Sequence, residues 1–249
     1  MTYLAAVAIV QNEALYLEEW MAYHRAIGVE EFHLYDNEST DNTWRVARDL
    51  GAITYHWPGR RVQLAAHHHA LSTLIDRTQW IAFIDPDEFL FTDVQRSIPD
   101  LLSNYEAYGA LAACWACFGT SGVEERPTSA LRTFTHRAAQ GAEMNLHVKS
   151  IVQPRLVRAH TPKDPHHFLQ CVTVDTKRRQ VVGPFHQEPP SWEDLRINHY
   201  VSRSVSEARE KMRTPRADNG ELRAVDLTAE WLNNVEDTSM IERLDGLGV

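Results

Sequence analysis

Within the first 90 residues, four apolar runs each pass into a polar cluster, and helix-like stretches separate one run from the next. The runs cover 3–10, 32–35, 52–57 and 80–84. The first, YLAAVAIV, is continuous and contains β-branched residues, as expected of a strand covered on both faces. After it Asn12 and Glu13 open a helix on which Leu17, Trp20, Met21, His24 and Ile27 share a face, with Gly28 as the stop. Further helices are expected up to about Leu50, before Gly51, and from Val62 to about Arg77. Such alternation predicts an α/β fold: a Rossmann-like, mostly parallel central sheet with helices on both faces.

Past residue 105 the rhythm loosens. Short strand-like runs fall near 108–117, 131–136, 147–153 and 169–174, and 204–212 reads as a helix. The expectation is one domain over 1–249: a ligand-binding half (1–105), a less regular half (106–212) and a polar tail (213–249).

Ligands of open α/β sheets bind outside the carboxyl ends of the strands. Polar clusters stand at those places: Asn12-Glu13 after the first run, Asp36 to Asp41 after the second, Arg60-Arg61 after the third and Asp85-Pro86-Asp87 after the fourth. In an extended segment Asp85 and Asp87 would point to one side, about 7 Å apart. Pro86 disfavours a helical Asp85 and so favours that geometry. Two carboxylates so placed suit a hard divalent cation, which can neutralise a diphosphate and stabilise it as a leaving group.

The formal net charge of −9 argues against a nucleic-acid partner. It also means that a bound diphosphate needs local cations. Arg60, Arg61 and Lys149 are candidates, with a solvated surface pair as the other reading of Arg60-Arg61. Gln63 could reach the same ligand or simply start its helix. No run is long and apolar enough to span a membrane, and the N-terminus lacks the marks of a signal peptide. Of three cysteines, an odd number, Cys114 and Cys117 form a C-x-x-C read as small buried thiols, and a cytoplasmic location is expected. His67-His68-His69 lies on a helix, where successive side chains point about 100° apart and cannot all grip one ion.

The order of Asn12-Glu13, Tyr16-Leu17-x-Glu19-Trp20, Tyr35-Asp36-Asn37-x-Ser39-x-Asp41 and Ile84-Asp85-Pro86-Asp87-Glu88-Phe89 resembles the family 92 glycosyltransferases and their bacterial family 2-like relatives. So do Trp115-x-x-Phe118-Gly119, Lys149-x-Ile151-Val152, and Asn198-His199-Tyr200 with Ser204, Glu207 and Lys211 after it. The resemblance spans about 3–212 and departs at 124–140. It implies a GT-A fold, a nucleotide-sugar donor (a UDP-sugar first), a divalent metal (Mn2+ or Mg2+), a glycan or other hydroxyl acceptor, and hexose transfer with inversion. It places Asn12, Glu13 and Asp36 by the base or ribose, Asp85 at the ribose or metal, and Asp87 and the late His199 on the metal. His167 is a weaker candidate for that ion. Asp41 is read as a helix cap. Trp115 and Phe118 are read as a sugar platform or as core. Inversion needs a base opposite the leaving group; Glu124 and Asp194 are the candidates. A nucleotidyltransferase or a non-catalytic nucleotide-sugar-binding module are the rival readings. The absence of a Gly-rich basic loop after the first strand counts against the former.

Overall fold

The computed structural model describes residues 1–92, 96–157, 159–161, 164–169, 171–186, 189–214 and 221–249. Its first half follows the expected alternation: β1 (Thr2–Val10), α1 (Leu17–Ala26), β2 (Glu31–Asp36), α2 (Thr43–Asp49), β3 (Ile53–His56), α3 (Gln63–Leu74) and β4 (Thr78–Phe83). The chain then runs through β5 (Glu88–Thr92), α4 (Ile98–Leu102), β6 (Ala110–Cys117), β7 (His136–Arg137), β8 (Val148–Val152), β9 (Ala159–Thr161), β10 (Asp164–Leu169) and β11 (Thr173–Val174). It ends with β12 (Leu195–His199), α5 (Val205–Arg213), β13 (Val235–Glu236) and α6 (Ser239–Leu247).

Among the described residues one nine-stranded sheet runs β3-β2-β1-β4-β8-β6-β12-β5, with β11 beside β6. Strands β1–β4 pair in parallel, as do β6 and β12. Strand β8 is antiparallel to both its neighbours, and β5 is antiparallel to β12. The fold is mixed α/β with a mostly parallel sheet, as expected. The carboxyl ends of β1, β2, β4, β6 and β12 therefore share one edge, together with the amino ends of β5 and β8.

Strand β1 shows why its sequence is continuously apolar. Leu4, Ala6, Ala8 and Val10 pack on the α1 side, and Ala5 and Val7 on the α3 side. Helix α1 stops as expected near Gly28, whose φ is +108°. A Cβ there would also stand 2.5 Å from the Pro99 ring, so a side chain is excluded twice over. Two expectations fail. Helix α1 starts at Leu17, not at Asn12, because Asn12 adopts a left-handed φ of +57° and is held by the loop after β2. The run at 131–136 forms turns, with a ladder only at β7, because Ala130, Leu131 and Phe134 enter the core from an irregular loop. Among the described residues no helix is long and apolar enough to cross a membrane.

His24, on the buried face of α1, is fully enclosed. The Leu90 amide donates to its Nε2 (3.3 Å), so Nδ1 carries the proton and donates to the Trp20 carbonyl (2.8 Å). Burial holds this imidazole down to about 3, against 6.5 when free. The folded state thus binds fewer protons than the unfolded one between those values. The stability it contributes is complete above about 6.5 and is lost as pH falls towards 3. At pH 5 the loss is about 2 kcal/mol. Urea unfolding of wild type and His24→Gln at pH 7.5 and pH 5 checks this. The wild type should lose about 2 kcal/mol more than the variant between the two pH values; an equal loss would clear His24 as the cause.

Candidate functional site

The charged groups collect at the shared strand edge. Between β4 and β5 the backbone makes a tight turn, Asp85-Pro86-Asp87-Glu88, closed by the Glu88 amide on the Asp85 carbonyl (3.0 Å). Proline at the second position suits such a turn. The extended Asp85-x-Asp87 geometry expected from the sequence is therefore not adopted, and the two carboxylates engage different cations.

Asp85 accepts from Lys149 Nζ (2.7 Å), whose ammonium also lies 3.2 Å from Glu88 Oε2. Glu88 is fully enclosed, and its other oxygen, Oε1, has no partner. The Asp85 amide donates to Oε2 (2.8 Å). One cation thus faces two carboxylates. Burial pushes the Glu88 carboxyl up to about 7, against the pull of Lys149 and with the repulsion of Asp85. For Lys149, burial alone would lower the ammonium, but Asp85 and Glu88 outweigh it and raise it. The charge that is held is Lys149 with the more open Asp85.

Asp87 turns the other way. Its Oδ2 takes a very short contact from Lys211 Nζ and lies 3.6 Å from His199 Nε2. Burial pushes this carboxyl up, but Lys211, His199 and Arg203 together hold it well below the ordinary range. His199 closes β12 and packs edge-on against Trp115 with ring centroids 4.3 Å apart. Its Nδ1 is buried without a partner. A third pair completes the edge: Arg203 Nη2 donates to Glu13 Oε2 (2.8 Å) and its guanidinium lies 4.5 Å from the Tyr16 ring centroid. Burial raises the Glu13 carboxyl, with Arg203 opposing.

The remaining candidates separate. Asp36 ends β2, is 6% exposed, and leaves Oδ1 buried with no partner, a polar atom awaiting a donor. Asn12 is spent on structure: its Oδ1 accepts from the Thr40 amide (2.7 Å) and hydroxyl (3.2 Å), joining the loops after β1 and β2. Asp41 accepts from the Thr43 amide (2.9 Å) just ahead of α2, but the N-cap position is held by Asn42, whose side chain makes no capping bond. Gln63 is buried at the first position of α3, while Arg60 and Arg61 are exposed. Lys149 is not free to meet a phosphate, since its ammonium is committed to Asp85 and Glu88 with a side chain only 4% exposed. Glu124 is exposed on the loop after β6, beside the start of α5, where its carbonyl accepts from the Ser206 amide (3.0 Å). Asp194 precedes β12 and pairs with Arg96 at 3.7 Å. It stands at the opposite end of that strand from His199, roughly 17 Å away at about 3.4 Å per residue. That separation removes it from the site.

Phe118 is fully enclosed against Tyr200 and is core, not platform; Trp115 is half-buried between His147 and His199. His67 packs on Phe83, His69 bonds the Tyr35 hydroxyl and His68 faces solvent, so the triplet diverges as expected. His166 is tied to the Val148 carbonyl (3.1 Å), and His167 is half-buried on the same strand. Cys114 and Cys117 are free, buried thiols raised by burial. Arg203 lies in no motif that marks it as a site residue. Its one local cue is its place four residues after His199.

The family model for glycosyltransferase family 92 matches residues 4–228. A family 92 protein of Oryza sativa subsp. japonica is 30% identical over 174 residues, 66% of this chain and 29% of that protein. One from Arabidopsis thaliana is 28% identical over 182 residues, 66% of this chain and 31% of that protein. The chain thus spans about three-tenths of the length of the curated relatives it matches. Likeness to solved structures is distant. Staphylococcus aureus TarS shares 13% identity at a TM-score of 0.44, over 89% of this chain and 41% of that one. Glucosyl-3-phosphoglycerate synthase from Mycobacterium tuberculosis, in complex with Mn2+, UDP and glucosyl-3-phosphoglycerate, shares 19% at a TM-score of 0.33, over 46% and 44%. The assignment therefore rests on the sequence match and on the order of motifs along the sheet edge: by these, the chain belongs to glycosyltransferase family 92.

Proposed function

We propose that this chain moves a hexose from a nucleoside-diphosphate sugar, a UDP-sugar first, to an acceptor hydroxyl, with a divalent metal and with inversion at the anomeric carbon. The observation that carries the reading is the convergence of Asp87 Oδ2 and His199 Nε2, 3.6 Å apart, at the edge where Asp36 leaves a buried carboxylate oxygen unpartnered. A carboxylate oxygen and an imidazole nitrogen that converge in this way could both ligate one divalent ion, and Mn2+ accepts an imidazole beside a carboxylate. The pair fits such an ion as two of its ligands. Among the described residues no group of three or more His, Cys, Asp or Glu is placed to hold one. Asp87 and His199 would therefore supply two ligands, leaving the rest to diphosphate and water.

A bound Mn2+ or Mg2+ would supply Lewis-acid neutralisation of the leaving diphosphate. The chain's own residues do the rest. Asp36 accepts from the base or ribose, which satisfies its orphaned oxygen. Asp85, oriented by Lys149, faces the ribose. Arg203, held by Glu13, adds fixed positive charge at the edge where negative charge grows on the diphosphate, the charge whose stabilisation raises rate. Glu124 takes the acceptor proton.

Calorimetry with UDP, GDP and CDP, each with Mn2+ and with chelator, tests the donor. UDP with metal should bind best, and no binding by any of the three would remove the reading. Transfer should release nucleoside diphosphate; release of pyrophosphate would make the chain a nucleotidyltransferase. Glu124→Gln should keep nucleotide binding within about twofold and lose about 100-fold or more in transfer, the scale of general-base catalysis. Normal turnover in that variant would end the base assignment.

A further inference from the structure

Three cations hold the carboxylates of this edge, and they differ in one respect. The Lys149 side chain is 4% exposed, that of Arg203 13% and that of Lys211 26%. Lys149 and Arg203 sit in enclosed pairs. Lys211 projects from α5, whose start is locked by a capping box of Ser204 and Glu207. Among the described residues its ammonium reaches two acceptors, Asp87 Oδ2 and the Val201 carbonyl at 3.1 Å. The ammonium therefore rests on the same oxygen that faces His199 Nε2.

We propose that Lys211 is an exchangeable counter-cation of Asp87. It neutralises that carboxylate while the site holds no ligand, and it yields the oxygen to a divalent ion when nucleotide diphosphate arrives. The inference rests on the metal reading given above. An ammonium and a dication close to one carboxylate oxygen repel each other strongly in a partly dry site, which favours departure of one of them. The partner that can leave is the one on a long, rotatable, partly solvated stem, and a lysine ammonium is a mobile point charge of that kind. Once displaced, it remains tethered at the same edge, where the incoming diphosphate offers it oxygens. Lys211 thus keeps Asp87 oriented, discourages metal from binding alone, and favours metal that arrives together with diphosphate.

A single substitution should then move two affinities in opposite directions. In Lys211→Met, Mn2+ without nucleotide should bind about 10-fold tighter, because no ammonium has to be displaced. UDP at saturating Mn2+ should bind about 10-fold weaker, because one cation has been lost. Lys211→Arg keeps the charge and should fall between the two. Free Mn2+ is followed by its paramagnetic resonance signal and UDP by calorimetry, so neither readout needs turnover. A purely structural lysine would weaken both affinities on replacement. Equal or weaker Mn2+ binding by Lys211→Met overturns the exchange while leaving the metal site in place. If neither protein binds Mn2+ but both bind UDP in chelator, with Lys211→Met the weaker, the metal reading and the exchange are overturned together, and Lys211 is the resident cation.

Discussion

Asp87→Asn is expected to lose metal-supported nucleotide binding and at least about 100-fold in transfer, with the fold retained. The amide keeps the shape and one oxygen but removes the charge. At the effective dielectric of a partly buried site, a unit charge a few ångströms from a cation contributes several kcal/mol. A loss of about 100-fold corresponds to only about 2.7 kcal/mol, well within that range. The cost to stability is smaller, on the order of 1–3 kcal/mol, because the bereaved Lys211 is a quarter exposed and can turn to water. UDP calorimetry with and without Mn2+, together with thermal unfolding, separates the two effects. Full wild-type activity in chelator, or normal turnover by Asp87→Asn, would refute the role of Asp87.

Lys149→Met is expected to be the most damaging change to stability. Lys149 is the cation between Asp85 and Glu88, with side-chain exposures of 4%, 35% and 0% respectively. Removing one partner of a buried ion pair leaves an uncompensated charge and costs about 3–5 kcal/mol. For a chain of this size that is a fall in Tm on the order of 10 °C. Adding Glu88→Gln should recover a substantial part of it, since Glu88 is the carboxylate that burial most opposes and the amide carries no charge. The prediction is checked by chemical denaturation of the two single variants and the double variant. If the double variant is no more stable than Lys149→Met, the loss does not come from the stranded carboxylates. The same geometry revises the expectation that Lys149 meets phosphate, since any effect of this lysine on turnover must pass through the position of Asp85.

Much of this protein is written locally. The unbroken apolar run of β1 called for cover on both faces, because period-two side chains that are all apolar have no solvent side. Gly28 marked the end of α1, because a left-handed φ near Pro99 excludes a Cβ. Asp36, Asp87 and His199 could be placed at one edge of the sheet because each follows or ends an apolar strand, and strands that run in parallel bring such positions together. Even the divergence of His67, His68 and His69 follows from helical spacing alone.

Tertiary structure decided the rest, which concerns partners far apart in sequence. Lys149 meets Asp85 across 64 positions, Lys211 meets Asp87 across 124 and Arg203 meets Glu13 across 190. No local spacing encodes such pairs, because long side chains are free to choose among many carboxylates until the sheet brings one within reach. Strand order likewise sent Asp194 to the wrong end of β12 and brought Glu88 in from β5, which lies beside β12 and not beside β4. The sequence by itself determined the alternating α/β chain and the edge at which its polar residues gather. Only the folded sheet determined which cation neutralises which carboxylate, because that choice depends on distances and burial set by packing, not on the order of residues along the chain.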